Sequence, residues 1–95
     1  MILIADGGST KADWIALDSA KEEIFRVRTL GLNPAVVAKE ELNNRIVNMF
    51  QLIQSKDEVT EIHFYGAGCG TAKPVQILAE VLGSIFVNAN IHIAE

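Results

Sequence analysis

Six consecutive residues near the start of the chain, Asp6-Gly7-Gly8-Ser9-Thr10-Lys11, bring together the groups that can hold a phosphate. Gly7 and Gly8 lack a Cβ, so the backbone can take positive φ and bring its N–H groups close to phosphate oxygens. The hydroxyls of Ser9 and Thr10 add donors, and Lys11 adds charge. Asp6, at the end of an apolar run, can hold a hydrated Mg²⁺, which usually meets phosphate through one or two carboxylates and keeps several waters. The spacing is not G-x-x-x-x-G-K-[ST], and a strand rather than a helix follows, so a P-loop is excluded. The same residues suit an ordinary Asp-Gly hairpin turn, and the segment alone leaves both readings open.

Two further segments contain groups of this kind. Gly31-Leu32-Asn33-Pro34 breaks a strand pattern, with Asn33 as a turn residue before proline. Gly66-Ala67-Gly68-Cys69-Gly70-Thr71 follows a strand and opens a helix, as a dinucleotide-binding fingerprint would. However, Thr71 stands where the third glycine belongs, and Glu95 lies further on than the usual ~20 residues. The remaining candidates read more simply as structure. Cys69 is alone, which excludes an internal disulfide and a cysteine zinc cluster and suits a small buried filler. His63 and His92 fall on strands with no second ligand at metal spacing along the chain, so they read as packed or edge histidines. Trp14 reads as packing on a sheet, and Lys21-Glu22-Glu23 as a solvated turn.

The elements that must position these residues follow from periodicity. Ile2 to Ala5, Ala12 to Leu17 and Glu23 to Leu30 read as a three-strand antiparallel meander, with Asp18 to Lys21 as its second turn. Leu42, Ile46, Met49, Phe50 and Ile53 recur at helical spacing, which predicts one helix from Lys39 to about Gln54. Glu61 to Tyr65 is a fourth strand. A second helix starts after Thr71 as cap, tolerates Pro74 in its first turn, and carries an apolar stripe of Val75, Leu78, Val81 and Leu82. Ile91 to Ala94 closes the chain as a fifth strand. The order is β-β-β-α-β-α-β, an α/β fold with a mixed five-stranded sheet, since helical crossovers favour parallel pairing. Two helices of these lengths cannot cover both faces of five strands, so a continuation after Glu95 is expected.

Composition narrows the function classes. The chain has 95 residues, 49% hydrophobic, with 8 basic against 12 acidic residues and a net charge of −4. That suits one small globular domain and offers no basic footprint for nucleic acid. Met1 to Ala5 lacks a basic n-region, and Asp6 interrupts it well short of a membrane span, so the reading is a cytoplasmic protein with no membrane partner.

On these segments the chain resembles a known family. Asp6-Gly7-Gly8-Ser9-Thr10-Lys11 on a first hairpin looks like the first phosphate motif of the actin, heat-shock chaperone and sugar-kinase superfamily, whose lobes have an RNase H-like β-β-β-α-β-α-β core. Gly31 to Pro34 and Phe64 to Gly70 are similar to the N-acetylglucosamine kinase-like branch of the BadF/BadG/BcrA/BcrD ATPase family. The resemblance covers nearly the whole chain as an N-terminal lobe, residues 1–95, with the second lobe of the same protein outside it.

What the resemblance implies is transfer of the ATP γ-phosphoryl group to a hydroxyl of an amino sugar, most simply N-acetylglucosamine, held between two lobes. It implies ATP and Mg²⁺ as cofactors and a sugar as the small-molecule partner; a homodimer is left open. Gly7, Gly8, Ser9, Thr10 and Lys11 would line the β- and γ-phosphates, and Asp6 would face the metal. Asn33 would meet sugar hydroxyls or the acetamido group, and Gly66, Ala67 and Gly68 would sit beside the sugar. The family's general base is an aspartate just beyond the fifth strand, so it is expected after Glu95, no catalytic residue is expected within the chain, and residues 1–95 alone are expected to be inactive. Glu95 has no fixed geometry as a substitute base. The alternatives on the same fold are a non-catalytic sugar or nucleotide sensor, and an ATPase that activates radical dehydratases. A lone cysteine gives the latter no support.

Overall fold

Alternation of apolar and small residues with polar ones along the first strands puts every second side chain on one face of the sheet. In the computed structural model, which describes residues 1–95, β1 runs over Ile2–Gly7, β2 over Lys11–Leu17 and β3 over Glu23–Leu30 as an antiparallel meander. Helices α1 (Lys39–Val47) and α2 (Phe50–Gln54) lead to β4 (Glu61–Gly66), and α3 (Ala72–Ile85) leads to β5 (Asn90–Ala94). The strand order is β3-β2-β1-β4-β5, with β1, β4 and β5 parallel, so the mixed sheet and the element order agree with the expected class. Strands β1, β2, β4 and β5 each run one or two residues further than the periodicity indicates. As a result Asp6 and Gly7 belong to the ladder rather than to the turn.

Leu3, Ala5, Ala12, Trp14, Ala16, Ile62 and Phe64 all lie on one face. They form one buried cluster with Leu42, Ile46 and Leu52 and with Leu78, Val81, Leu82 and Ile85 of α3. All three helices therefore cover the same face. The other face carries Ile2, Ile4, Ile15 and Leu17, half-buried, among polar residues and has no covering layer. Trp14 is a core residue, as expected, edge-on to Phe64 at 6.1 Å, and its indole N–H donates to the Thr29 hydroxyl at 3.2 Å.

The single helix expected from Lys39 to Gln54 is two. Asn48 ends α1, and Met49 stands between the helices with extended backbone, φ −94° and ψ 103°. Asn43, Asn44 and Asn48 are weak helix formers whose side chains compete for backbone partners, which makes this the easiest place to break. The break turns Leu52 into the core and leaves Phe50 69% exposed, although periodicity had placed Phe50 on the packed face. Thr71 is the N-cap of α3 by position, with extended backbone, but its hydroxyl makes no capping bond. The meander's second turn is solvated as expected. The Asp18 carboxylate accepts from Ala20 and Glu22 N–H groups at 2.9 Å, and Lys21 takes φ 63°.

Phe64 lies at the centre of this layer, so Phe64→Ala should cost about 3–5 kcal/mol in chemical unfolding. Exposed Phe50→Ala should change stability by less than about 0.5 kcal/mol. Trp14, the sole tryptophan, supplies the fluorescence signal for both measurements.

Candidate functional site

The phosphate candidate is built where β1 turns into β2. Gly7 pairs with Ala12 across the hairpin and with Gly66 of β4 on its other side. A Cβ on Gly7 would enter the Phe64 ring, and one on Gly66 would come within 2.6 Å of it. The ring thus fills the space directly beneath both glycines. The turn closes with the Gly8 N–H donating to the Lys11 carbonyl at 2.9 Å, while the Ala67 and Gly31 N–H groups donate to the Gly7 and Thr10 carbonyls. Neither Gly7 nor Gly8 takes positive φ, which corrects the expectation that they supply left-handed backbone. Gly7 is required by close approach to an aromatic ring. At Gly8 a Cβ would stand 3.1 Å from the Lys11 carbonyl oxygen, a tight but smaller conflict.

Ser9 and Thr10 are exposed, and their N–H groups have no partner within the chain. Such free amides at a turn are what an anion would use. They open on a shallow cavity of about 270 Å³ lined by Asp6, Gly8, Ser9, Thr10, Lys11 and Asp13. A larger depression of about 580 Å³ lies on the far side of Lys11, between β3 and α1, with Arg28, Glu41, Asn44 and Arg45 on its walls. The smaller cavity is the phosphate candidate because the free amides belong to it.

Asp13 is the residue that sequence reasoning missed. It pairs with Asp6 across the hairpin, and both carboxylates stand on the uncovered face. Arg28 is next in the row and donates from Nε to Asp13 Oδ1 at 2.6 Å. That hydrogen bond, partly opposed by desolvation and aided by the charges of Arg28, Lys11 and Arg26, holds the Asp13 carboxyl below its ordinary value. Cross-strand neighbours have Cβ atoms only about 4.5–5.5 Å apart, so two carboxylates there repel unless cations share the site. Strand alternation places Asp13 on the same face as Lys11, and that was the available signal.

The other two motifs converge on the same turn. Gly31 lies so close beneath it that a Cβ would collide with the Ser9 carbonyl, and Arg45 Nη1 donates to the Gly31 carbonyl at 2.6 Å, tying α1 to this crossing. Asn33 Nδ2 reaches Ser9 Oγ at 3.5 Å, and its Oδ1 accepts from the Ala35 N–H at 3.0 Å. The side chain is thus an Asx-type turn residue as well as a neighbour of the phosphate turn, and it is buried. Gly68 takes φ 81°, and a Cβ there would strike Asn33 Oδ1. Gly68 therefore adjoins Asn33, while Gly66 and Ala67 adjoin Gly7 at the base of the turn. Cys69 is buried beside them, its thiol pushed up by burial and then by the Glu95 carboxylate, so it is filler rather than nucleophile. Glu95 itself lies against Gly70.

The geometry predicts an order of tolerance. Gly68→Ala should cost about 1–2 kcal/mol from its left-handed backbone alone, before the conflict with Asn33 is added. Gly7→Ala should be more damaging than Gly8→Ala, because a ring in a packed core yields less than a carbonyl at a turn. Denaturant midpoints of the three variants give the ranking.

No protein-family model and no curated protein sequence matches the chain. Among solved structures it is similar to a protein from Porphyromonas gingivalis described as a "Putative N-acetylglucosamine Kinase", at 33% sequence identity and a TM-score of 0.86. The match covers 99% of this chain and 34% of that one, so the chain spans about a third of the length of the structure it matches. The antiparallel meander in the sheet sets this architecture apart from a dinucleotide-binding Rossmann half. No helix is long and apolar enough to cross a membrane. The chain has a kinase-like fold, that of an N-terminal lobe of the actin-like class, in agreement with the resemblance its motifs carry.

Proposed function

We propose that this chain is the phosphate-binding part of an ATP-dependent amino-sugar kinase, most simply one acting on N-acetylglucosamine. The observation that carries this reading is the convergence on Ser9. Free amides and charged side chains line the turn there, Asn33 reaches Ser9, and Gly66 to Gly68 pack beside Gly7 and Asn33. The likeness to a protein described as such a kinase supports the choice of substrate class.

In this reading the Ser9 and Thr10 amides and hydroxyls and the Lys11 ammonium bind the terminal phosphates of ATP. Asp6 and Asp13 form an oxygen-only donor set, which suits a hard, hydrated cation. Arg28 already partners the Asp13 carboxylate, which leaves the Asp6 side of the pair for a cation. Mg²⁺ supplies charge neutralisation of the phosphates when bound. Asn33 presents Nδ2 towards a sugar hydroxyl or acetamido oxygen while Ala35 holds its Oδ1. These residues position and bind, and none of them abstracts the proton from the sugar hydroxyl. That role falls to an aspartate outside the chain, and the adenosine is bound by a second lobe of the same cytoplasmic protein. A non-catalytic sensor would use the same contacts without the base.

The test is phosphoryl transfer to N-acetylglucosamine by the protein that carries residues 1–95 together with a second lobe. Asp6→Asn should lower kcat by about 10²-fold or more with the fold intact. Lys11→Ala should raise KM for ATP more than it lowers kcat, as expected for a group that binds the phosphates throughout. Residues 1–95 alone should show no turnover, and ATP-dependent sugar phosphorylation by them would overturn this division of labour.

A further inference from the structure

The uncovered face of the sheet carries a second set of polar side chains, one pleat below the Asp6 row and separate from it. Glu61 and His63 are two residues apart on β4 and therefore on the same face. His92 of β5 is in register with His63. The two imidazoles stack with centroids 4.8 Å apart and planes 11° from parallel, and His63 Nε2 lies 3.2 Å from Glu61 Oε1. One ligand atom from each of the three residues lies within 4.8 Å of the others. Glu61 stands two residues from His63 on the same face of β4, a ligand spacing that sequence reasoning overlooked, and the parallel pairing of β4 with β5 supplies the third ligand, His92.

We infer that Glu61, His63 and His92 form a binding site for a borderline divalent cation of the Zn²⁺ class. Two neutral imidazoles and a carboxylate are the donor set such ions take, and bonds of about 2.0–2.2 Å would bring the ligand atoms to roughly 3.4 Å apart. From separations of up to 4.8 Å the ligand atoms must close by about 1.4 Å, and the two rings must turn out of their parallel stack so that their in-plane lone pairs converge on one ion. His92 is exposed and the other two are half-exposed, while the backbone beneath them is fixed by ladders to β1 on one side and across β4 and β5 on the other. Ile2 and Ile4 of β1 pair with Glu61 and His63 and give the site an apolar wall on that side. Water completes the coordination on the open side. The site differs in chemistry from the Asp6 and Asp13 pair, where oxygen ligands alone favour a harder ion.

Calorimetric titration of the metal-free chain with Zn²⁺ alone tests the site, with Co²⁺ absorption as a second readout of nitrogen ligation. One ion should bind per chain, and excess Mg²⁺ should not displace it. His92→Gln and His63→Gln should each weaken binding by at least about tenfold, with unchanged far-UV circular dichroism. His92 is exposed, so His92→Gln keeps the test decisive even if the His63 variant fails to fold. Absence of saturable Zn²⁺ binding, full retention of affinity in His92→Gln, or displacement by Mg²⁺ would each overturn the assignment.

Discussion

The packing of the Phe64 ring under Gly7 and Gly66 is the constraint on which the rest of the site depends. The ring occupies the volume that side chains at both positions would need, so β1 and β4 lie side by side with bare backbone above an aromatic floor. Trp14 braces the ring edge-on, and Thr29 in turn holds the Trp14 indole. Core packing, which tolerates no spare volume, thereby fixes the height of the strand end that carries Asp6 and opens the turn. A change in the ring would be felt at the turn before it reached any ligand.

Above that floor, chemistry is sorted by rows. Register across four strands aligns Arg28, Asp13, Asp6 and Tyr65. The next row down holds Ile15, Ile4, His63 and His92. Because the helices all cover the opposite face, both rows remain accessible. The same arrangement explains why Gly31 and Asn33, distant in sequence from the hairpin, belong to its surroundings. Gly31 donates its N–H to Thr10, Arg45 fastens it to α1, and Asn33 reaches Ser9 from the turn that follows.

Much of this was legible in the chain itself. The alternation in Ala12 to Leu17 and Glu23 to Leu30, the glycine-bounded turns and the apolar stripe of α3 specify all five strands, their order and the helical crossovers between them. Three features were not legible, each for a physical reason. The break at Met49 follows from which of two apolar faces the core accepts, and a helical period that fits both cannot decide that. The role of Gly7 is set by a ring 57 positions away. Composition alone suggested backbone freedom there, whereas the structure demands absence of volume. Asp13 and the histidine pair become neighbours of Asp6 and of each other only through strand register, a property of the folded sheet. Pairing between strands, more than the strands themselves, is what the linear pattern leaves undetermined.

The central claim is that the turn after β1 binds the phosphates of a nucleotide through the Ser9 and Thr10 amides with Asp6 and Asp13 beside them. Amide-resolved NMR titration of this chain with ATP and Mg²⁺ tests it most directly. The account predicts saturable shifts confined to residues 6–13 and their contacts at Gly31, Asn33 and Gly66 to Gly68, with the largest at Ser9 and Thr10. Shifts centred elsewhere, or none at millimolar nucleotide, would contradict it.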